Sequence, residues 1–232
     1  MSFIGFHFVV RHKMSRKFVL VILMVLVTSF PGFTQRLDVD NGYERGKMEN
    51  GYKVGTWEYM GIDRSVELTI NYDKGTLVYL KPDTNNYLVM IDSVWTYKKV
   101  NPHPRYLGSY GEFYTILGNN LDYPTEARRD EVEGTVFLNF EVNQVGKAVN
   151  IQVLNDSGGY FTDEIIDTFN LIPNLWLTAA CDGKNVCSKF VLPFYFKLTG
   201  GKESSVFDTN TLNFLEGKKL EEVTVTTPRS KH

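Results

Sequence analysis

The side chains best suited to covalent chemistry are two cysteines that lie close together in the sequence. Cys181 and Cys187 flank the segment Asp182–Val186, which begins Asp-Gly-Lys-Asn. This composition is typical of a hairpin turn, and a turn there would place the two thiols on facing strands. In an oxidising compartment the spacing favours a disulfide over two free thiols. Its stabilising effect would be modest, because the loop that it closes is short.

Other groups of polar residues have simpler structural interpretations. Asp163, Glu164 and Asp167 resemble a carboxylate cluster, but they fall on the outer face of a predicted helix, whose dipole favours acidic residues in the first turn. Ser157-Gly158-Gly159 is rich in glycine, yet two glycines after an antiparallel strand are weak evidence for a phosphate site. The sequence therefore predicts no catalytic constellation and no cofactor, and we expect that the protein is not an enzyme.

The N-terminus has the features of an export signal. Four basic residues precede an apolar run over residues 18–30, and Pro31-Gly32 ends that run. The run is shorter than the ~20 apolar residues that a membrane-spanning helix needs. We therefore predict a signal peptide over residues 1–35, cleaved near Thr34 or Gln35. A short uncleaved membrane anchor is the alternative.

Charge and histidine content exclude two classes of function. Removing residues 1–35 takes away four basic residues and no acidic ones, so the net charge changes from −2 to −6. The remaining sequence contains no basic cluster, which argues against nucleic-acid binding because phosphate contacts would dominate the affinity. The histidines outside that segment, His103 and His232, are not at ligand spacing from the cysteines, so a metal site is disfavoured.

Residues 36–100 contain short β-like runs separated by Asn-Gly and Lys-Gly turns, and we predict a β-hairpin-rich module there. Within it, Gly51, Gly55, Trp57 and Tyr59 form a Gly-x-x-x-Gly-x-Trp-x-Tyr pattern that resembles a MORN-like β-hairpin repeat. In such repeats the aromatic side chains of successive hairpins stack, and the resemblance implies no chemistry.

Residues 101–199 are predicted to form a separate α+β domain. The runs Thr135–Val142 and Ala148–Leu154 alternate between apolar and polar residues, which predicts two strands joined by a turn. Helical patterns flank this pair, and a third strand is predicted over Lys189–Leu198. We therefore expect a small antiparallel three-stranded sheet packed on two helices. Pro193 has no N–H to give to a neighbouring strand, which predicts that the third strand lies at the edge of the sheet.

An ordered series of motifs in this region resembles the TonB C-terminal domain. The series begins with Arg105-Tyr106-Leu107-Gly108, continues through Tyr123-Pro124 and Gly134-Thr135-Val136, and ends with Pro193-Phe194-Tyr195-Phe196. The resemblance implies a periplasmic module that couples inner-membrane energy to outer-membrane receptors. In that family a receptor segment, the TonB box, is added to the edge of the sheet as an extra strand.

The resemblance also implies a set of partner-binding residues. Its partner would be a TonB-dependent outer-membrane receptor or another envelope protein, with no small-molecule substrate. An exposed edge strand is a ready template for main-chain pairing, so the strand that carries Pro193 is the expected binding surface. The candidate residues are Asp122, Tyr123, Pro124, Phe190, Val191, Leu192, Pro193, Phe194, Tyr195 and Phe196.

Residues 200–232 are polar and are predicted to be a flexible tail. Within them, Leu220–Thr227 alternates like a strand, and its Glu-Val-x-Val-Thr sequence resembles a segment near the start of TonB-dependent receptors. One hypothesis is that this segment docks on the chain's own sheet edge or on that of a partner. The alternative is a disordered tail with chance β character.

Two functions are compatible with these patterns. The first is a non-catalytic periplasmic TonB-like protein that binds a partner segment by strand addition. The second is a structural or assembly scaffold of the envelope that forms homodimers through the same sheet edge.

Overall fold

The computed structural model describes residues 35–200 and 215–229. The predicted signal peptide therefore lies almost entirely outside the described residues. The chain divides into two compact units. The first comprises the residues up to Lys81 together with Gly108–Gly111, and the second comprises Pro82–Leu107 together with the residues from Glu112 onwards.

The first unit contains an antiparallel meander in which each strand pairs with the next one along the chain. Its strands are β1 (Arg36–Asp40), β2 (Glu44–Glu49), β3 (Tyr52–Met60), β4 (Val66–Asn71) and β5 (Thr76–Leu80). Between β2 and β3, Asn50 and Gly51 have φ angles of 51° and 81°. Positive φ at both positions defines a type I′ turn, which Asn-Gly favours. The predicted hairpins are confirmed here, whereas the MORN-like resemblance stays a prediction.

Trp57 on β3 is fully buried in this first sheet. Its indole ring lies against Gly46 on β2, where a Cβ atom would come within 2.4 Å of the ring. The indole N–H donates to the carbonyl oxygen of Lys47 at 3.0 Å, and the Lys53 ammonium lies 4.1 Å from the ring centroid. A glycine at position 46 is therefore required by packing, because any side chain would displace the ring.

In the described part of the chain from residue 82 onwards there are short strands, three helices and one larger sheet. Along the chain the elements are β6 (Tyr87–Ile91), β7 (Val94–Lys98), β8 (Arg105–Tyr106), α1 (Tyr110–Asn120), α2 (Thr125–Arg129), β9 (Gly134–Val142), β10 (Ala148–Leu154), α3 (Thr162–Asn170), β11 (Trp176–Leu177), β12 (Ala179–Cys181), β13 (Lys184–Val186), β14 (Ser188–Thr199), β15 (Lys218–Lys219) and β16 (Val223–Pro228). The larger sheet has the order β10-β9-β14-β6-β7, and β15 and β16 also pair with β14.

An aromatic core lies where β9 and β14 meet the helices. The rings of Phe140 on β9 and Phe190 on β14 stack with their centroids 5.3 Å apart. Phe113 of α1 and Phe169 of α3 are buried in the same unit, and the Phe169 ring lies 5.1 Å from Phe140. The predicted α+β class and the antiparallel arrangement of β10, β9 and β14 are therefore confirmed.

The sheet is larger than the three strands that the sequence predicted. Strands β6 and β7 belong to it, so part of the predicted first module, residues 36–100, lies in the second unit. Strands β15 and β16 also join it, so the prediction of a flexible tail over residues 200–232 is wrong for residues 218–219 and 223–228. Both errors have the same cause, since periodicity identifies a strand but not the distant strand with which it pairs.

Candidate functional site

Strand β14 carries most of the predicted partner-binding residues, and one of its sides is paired within the domain. From Ser188 to Phe196 it runs antiparallel to β9, with Ser188 opposite Val142 and Phe196 opposite Gly134. This pairing extends along most of the length of β14.

The other side of β14 is covered as well. At the start of the strand, Ser188 pairs with Val89 of β6. Further along, Phe190–Val191 pairs with β15 and Phe194–Thr199 pairs with β16, both in parallel orientation. The prediction that β14 is an exposed edge strand is therefore wrong. It is a central strand, and most of its second side is filled by the chain's own C-terminal segment.

Pro193 lies where the pairing with this segment is interrupted. The carbonyl oxygens of Val191 and Thr199 accept hydrogen bonds from the amides of the C-terminal segment, at 2.8 and 3.1 Å. Alternation along the strand directs the main-chain groups of Pro193 to the same side, where it has no N–H to donate. The C-terminal segment accommodates this gap with one more residue than β14 has between the two paired stretches. The missing N–H of Pro193 was recognised from the sequence, whereas the side that Pro193 faces, and the strand that occupies this side, follow from the structure.

The side chains of the predicted β14 residues contribute to the core and not to an exposed surface. The Phe196 ring, for example, stacks on Phe161 with centroids 4.0 Å apart. What β14 offers to another strand is therefore its main chain on the side that faces β15 and β16. The buried predicted residues are Phe190, Val191, Leu192, Pro193, Phe194 and Phe196, and Tyr195 is half-buried.

The second predicted segment, Asp122, Tyr123 and Pro124, has a structural role at the far end of β14. The amide of Asp122 donates to Glu164 at 2.8 Å. The Tyr123 ring packs edge-on against Phe196 at 5.5 Å. Pro124 is the N-cap residue of α2. Tyr123 thus lies beside β14, whereas nothing in the geometry of Asp122 and Pro124 marks them as binding residues.

The C-terminal strand β16 presents alternate side chains to the domain. Val223 is buried, Val225 and Thr227 are half-buried, and Thr224 and Thr226 are exposed. The domain therefore contacts β16 through the main chain of that strand and through every second side chain, as expected for an added strand.

One end of the C-terminal segment is anchored near the start of β14. Lys218 Nζ lies 3.7 Å from the Asp83 carboxylate and 5.3 Å from the centroid of the Tyr87 ring. Gly217 has φ of 126°, and a Cβ atom there would come within 2.9 Å of the Lys189 carbonyl oxygen. Glycine therefore allows the segment to approach the backbone of β14 closely.

The other end is anchored by Arg229. Its guanidinium donates to Glu131 at 2.8 Å and to Glu133 at 3.3 Å. The second oxygen of Glu133 accepts the amide of Leu198 at 2.6 Å, so this carboxylate joins β14 to the C-terminal segment. Burial first and then the Glu133 charge raise the pKa of Tyr123 to about 12, against the opposing charge of Arg229.

A second titratable group lies near Lys218. His103 stacks on the Tyr87 ring with centroids 5.8 Å apart. Burial lowers the pKa of His103, the negative charge of Asp83 opposes this shift, and Lys218 adds to it. Burial by itself would raise the pKa of Asp83, but hydrogen bonds from Tyr87 and the backbone, together with the Lys218 charge, lower it overall.

The predicted disulfide between Cys181 and Cys187 is not present, and both thiols are free. The hairpin turns at two residues, Asp182 and Gly183, and not at four, so Cys181 lies opposite Lys184. Cys187 is then several positions beyond the facing residue. Cys181 packs in a core cluster, and its sulfur accepts a hydrogen bond from Lys98 at 3.0 Å. Burial raises the pKa of Cys187.

The remaining candidate groups are structural. Asp163 and Asp167 on α3 are exposed, as predicted for a solvated helix face. Residues 157–159 form a turn, and the carboxylate of the preceding Asp156 accepts the amides of Phe161 and Thr162 at 2.9 and 2.8 Å, which fixes the start of α3. Among residues 35–200 and 215–229, no group of three or more His, Cys, Asp or Glu side chains could hold a metal ion.

Sequence reasoning missed the two ionic anchors. The acidic residues Glu131 and Glu133 directly precede β9, and Lys218 and Arg229 flank the alternating segment of the tail. Opposite charges at the boundaries of two predicted strands were the available signal. The signal could not be read without the parallel register, because only that register brings Arg229 to Glu131.

None of the helices in the described part of the chain is long and apolar enough to cross a membrane.

No curated protein and no solved structure matches the chain. A family model described as the Gram-negative bacterial TonB protein C-terminal matches residues 119–198, from the end of α1 to the end of β14. Domains of this family are non-catalytic protein-interaction modules of the cell envelope, found in TonB-like energy transduction, and they interact with outer-membrane receptors. Residues 119–198 are therefore a domain of the TonB C-terminal family, as the sequence motifs predicted.

Proposed function

We propose that this protein is a non-catalytic periplasmic TonB-like protein that binds a partner segment by strand addition along β14. The segment would come from a TonB-dependent outer-membrane receptor or from another envelope protein. One observation carries the proposal: a parallel strand with a receptor-like Glu-Val-x-Val-Thr sequence already lies on that side of β14. The match of residues 119–198 to the TonB C-terminal family supports the same class of function.

Because β16 occupies the site, a partner strand must replace it. The apparent affinity of the partner is then reduced by the fraction of molecules in which β14 is open. Each hydrogen bond of the ladder contributes only about 0.5–1.5 kcal/mol net, and a partner strand would form the same bonds in return. The C-terminal strand thus acts as a built-in competitor that prevents unselective pairing of β14 with other strands.

The proposal is tested with the full-length chain and a fluorescein-labelled peptide that corresponds to residues 218–229. Arg229 donates its amide to Thr199, so alternation directs the amide of Val225 toward β14 as well. Val225→Pro removes this donor and should open the site. We expect this variant to bind the peptide up to about tenfold more tightly than the unmodified chain, since the chain's own strand competes less well after the loss of one ladder bond.

Thr226→Pro is the matched control. The Thr226 side chain is exposed and alternation directs its amide away from β14, so this proline removes no ladder bond. The Thr226→Pro chain should bind the peptide as weakly as the unmodified chain. No detectable binding of the peptide to a Val225→Pro chain that keeps its circular dichroism spectrum and melting temperature would refute the proposal. Peptides from the plug segments of receptors of the same genome would then identify the partner.

The scaffold function is the second candidate. Every copy of the chain carries both β14 and the strand that fits it, so an exchange of β16 between two copies would produce a dimer. Multi-angle light scattering distinguishes the two functions. A stable dimer that Val225→Pro converts to a monomer would favour the scaffold, whereas a monomer in both cases would favour the binding of an external segment.

A further inference from the structure

We infer that the site along β14 selects an extended partner segment with a cationic side chain at each end, because it is bounded by Asp83 at one end and by Glu131 and Glu133 at the other. The inference rests on the proposed function and adds to it the chemistry of the partner. It depends on the way in which the chain's own C-terminal segment is held.

At the far end of β14, Glu131 and Glu133 form a binding site for a guanidinium group. Arg229 contacts Glu131 and Glu133 through separate nitrogen atoms, at 2.8 and 3.3 Å. The side chain of Glu133 is only 12% exposed, and that of Arg229 is 26% exposed. Glu133 is held in place by the Leu198 amide of β14 itself, so it remains at this position when β16 leaves.

The removal of Arg229 from this position has a physical consequence. Glu133 would lose the guanidinium that neutralises it while most of its side chain stays shielded from water. The loss of a charged contact by a carboxylate that is this shielded is destabilising. A replacing strand that carries a cation at the same position restores the interaction, and one that carries an acidic residue places like charges together.

The anchor at the near end has the same sign but is weaker. Lys218 lies 3.7 Å from Asp83, and the two side chains are 28% and 20% exposed. The Tyr87 hydroxyl donates to the same carboxylate, which fixes its position. Lys219, the next residue, is exposed and has no ion pair among the described residues. The near end therefore selects a cation at the position of Lys218, and not positive charge at any position of the segment.

Between the anchors the partner must match a strand that runs parallel to β14. The inward positions are occupied by Val223, Val225 and Thr227, which are small and β-branched. A fitting segment therefore has a lysine at the position of Lys218 and an arginine at the position of Arg229. Between them it has β-branched residues at the positions of Val223, Val225 and Thr227. Uniformly acidic or uniformly polar segments do not meet these conditions.

The test measures the affinity of labelled peptides of residues 218–229 for the full-length Val225→Pro chain by fluorescence anisotropy. Four peptides are compared: the natural sequence and the changes Arg229→Glu, Lys218→Glu and Lys219→Glu. We expect Arg229→Glu to weaken binding by about tenfold or more, because hydrogen bonds to charged groups contribute most. Lys218→Glu should weaken it less, and Lys219→Glu, which makes the same charge change away from both anchors, should weaken it least.

A charge-reversal cycle excludes a merely structural explanation. Glu131→Arg in the same chain should weaken the natural peptide and recover affinity for the Arg229→Glu peptide. If all four peptides bind with equal affinity, the inference is overturned while the proposed function stands. If none binds, the proposed function fails and the inference fails with it.

Discussion

The two sheets of this protein show how local and distant pairing differ in what they demand of a sequence. In the sheet of β1–β5, every strand pairs with its neighbour in the sequence through a short turn. In the larger sheet, β14 pairs with β9 on one side and with a segment beyond residue 215 on the other. The first sheet is encoded by turns and one buried tryptophan, whereas the second depends on contacts that no local pattern encodes.

Truncating the buried indole should have the largest effect, and it should act on the first sheet. Trp57→Ala removes a fully buried side chain and is expected to lower the free energy of unfolding by about 3–5 kcal/mol. Hydrogen exchange of the amides in β2, β3 and β4 measures the loss. Tyr52→Ala, at an exposed position of the same strand, is the control. Equal protection of these amides in both variants would contradict the assignment of Trp57 as the centre of this sheet.

A smaller effect is expected where the C-terminal segment approaches β14. Gly217→Ala would place a Cβ atom 2.9 Å from the Lys189 carbonyl oxygen, and overpacking of this kind costs about 1–3 kcal/mol. Faster hydrogen exchange in residues 218–228 would report it. Gly159→Ala is the matched control, because Gly159 also has positive φ but has nothing within 4 Å of the added atom. If the control accelerates exchange in the same residues as much, close approach is not the cause.

The pH dependence near Lys218 should be smaller still. The pKa of His103 is lowered in the folded protein, so as the pH falls the imidazole is protonated in the unfolded chain before it is protonated in the folded one. The free energy of unfolding therefore decreases as the pH falls below about 6.5. Stability is fully present above this value. His103→Gln should reduce the slope of melting temperature against pH between about 7 and 5. An unchanged slope in this variant would show that other groups determine the dependence.

No effect is expected from reduction of the cysteines. The thiols of Cys181 and Cys187 are free and out of register across the β12–β13 hairpin. Dithiothreitol should therefore leave the melting temperature unchanged. Mass spectrometry after alkylation of the unfolded, unreduced protein should find both thiols modified. If neither thiol of the unfolded, unreduced protein is alkylated, Cys181 and Cys187 form the disulfide that their spacing suggested.

Much of the local structure could be predicted from the sequence. The alternation of Ala148–Leu154 defines β10 with the bounds that the structure shows, and that of Thr135–Val142 defines β9 to within one residue. The site was predicted less well. The strand predicted to bind a partner is the one on which the chain's own C-terminal segment lies, but the side chains chosen on it are core residues, and the contacts of Glu131 and Glu133 were missed.

By itself the sequence determined which segments form most of the strands and helices, the match of residues 119–198 to a family, and that Pro193 offers no N–H to a neighbouring strand. These properties depend on spacing, on turn residues and on the absence of one N–H, all of which are local. Only the tertiary structure decided that β14 is central and that Arg229 meets Glu131 and Glu133. Strand order and register are set by contacts between segments far apart in the chain, and a shift of one residue in register would turn every inward side chain of β16 outward.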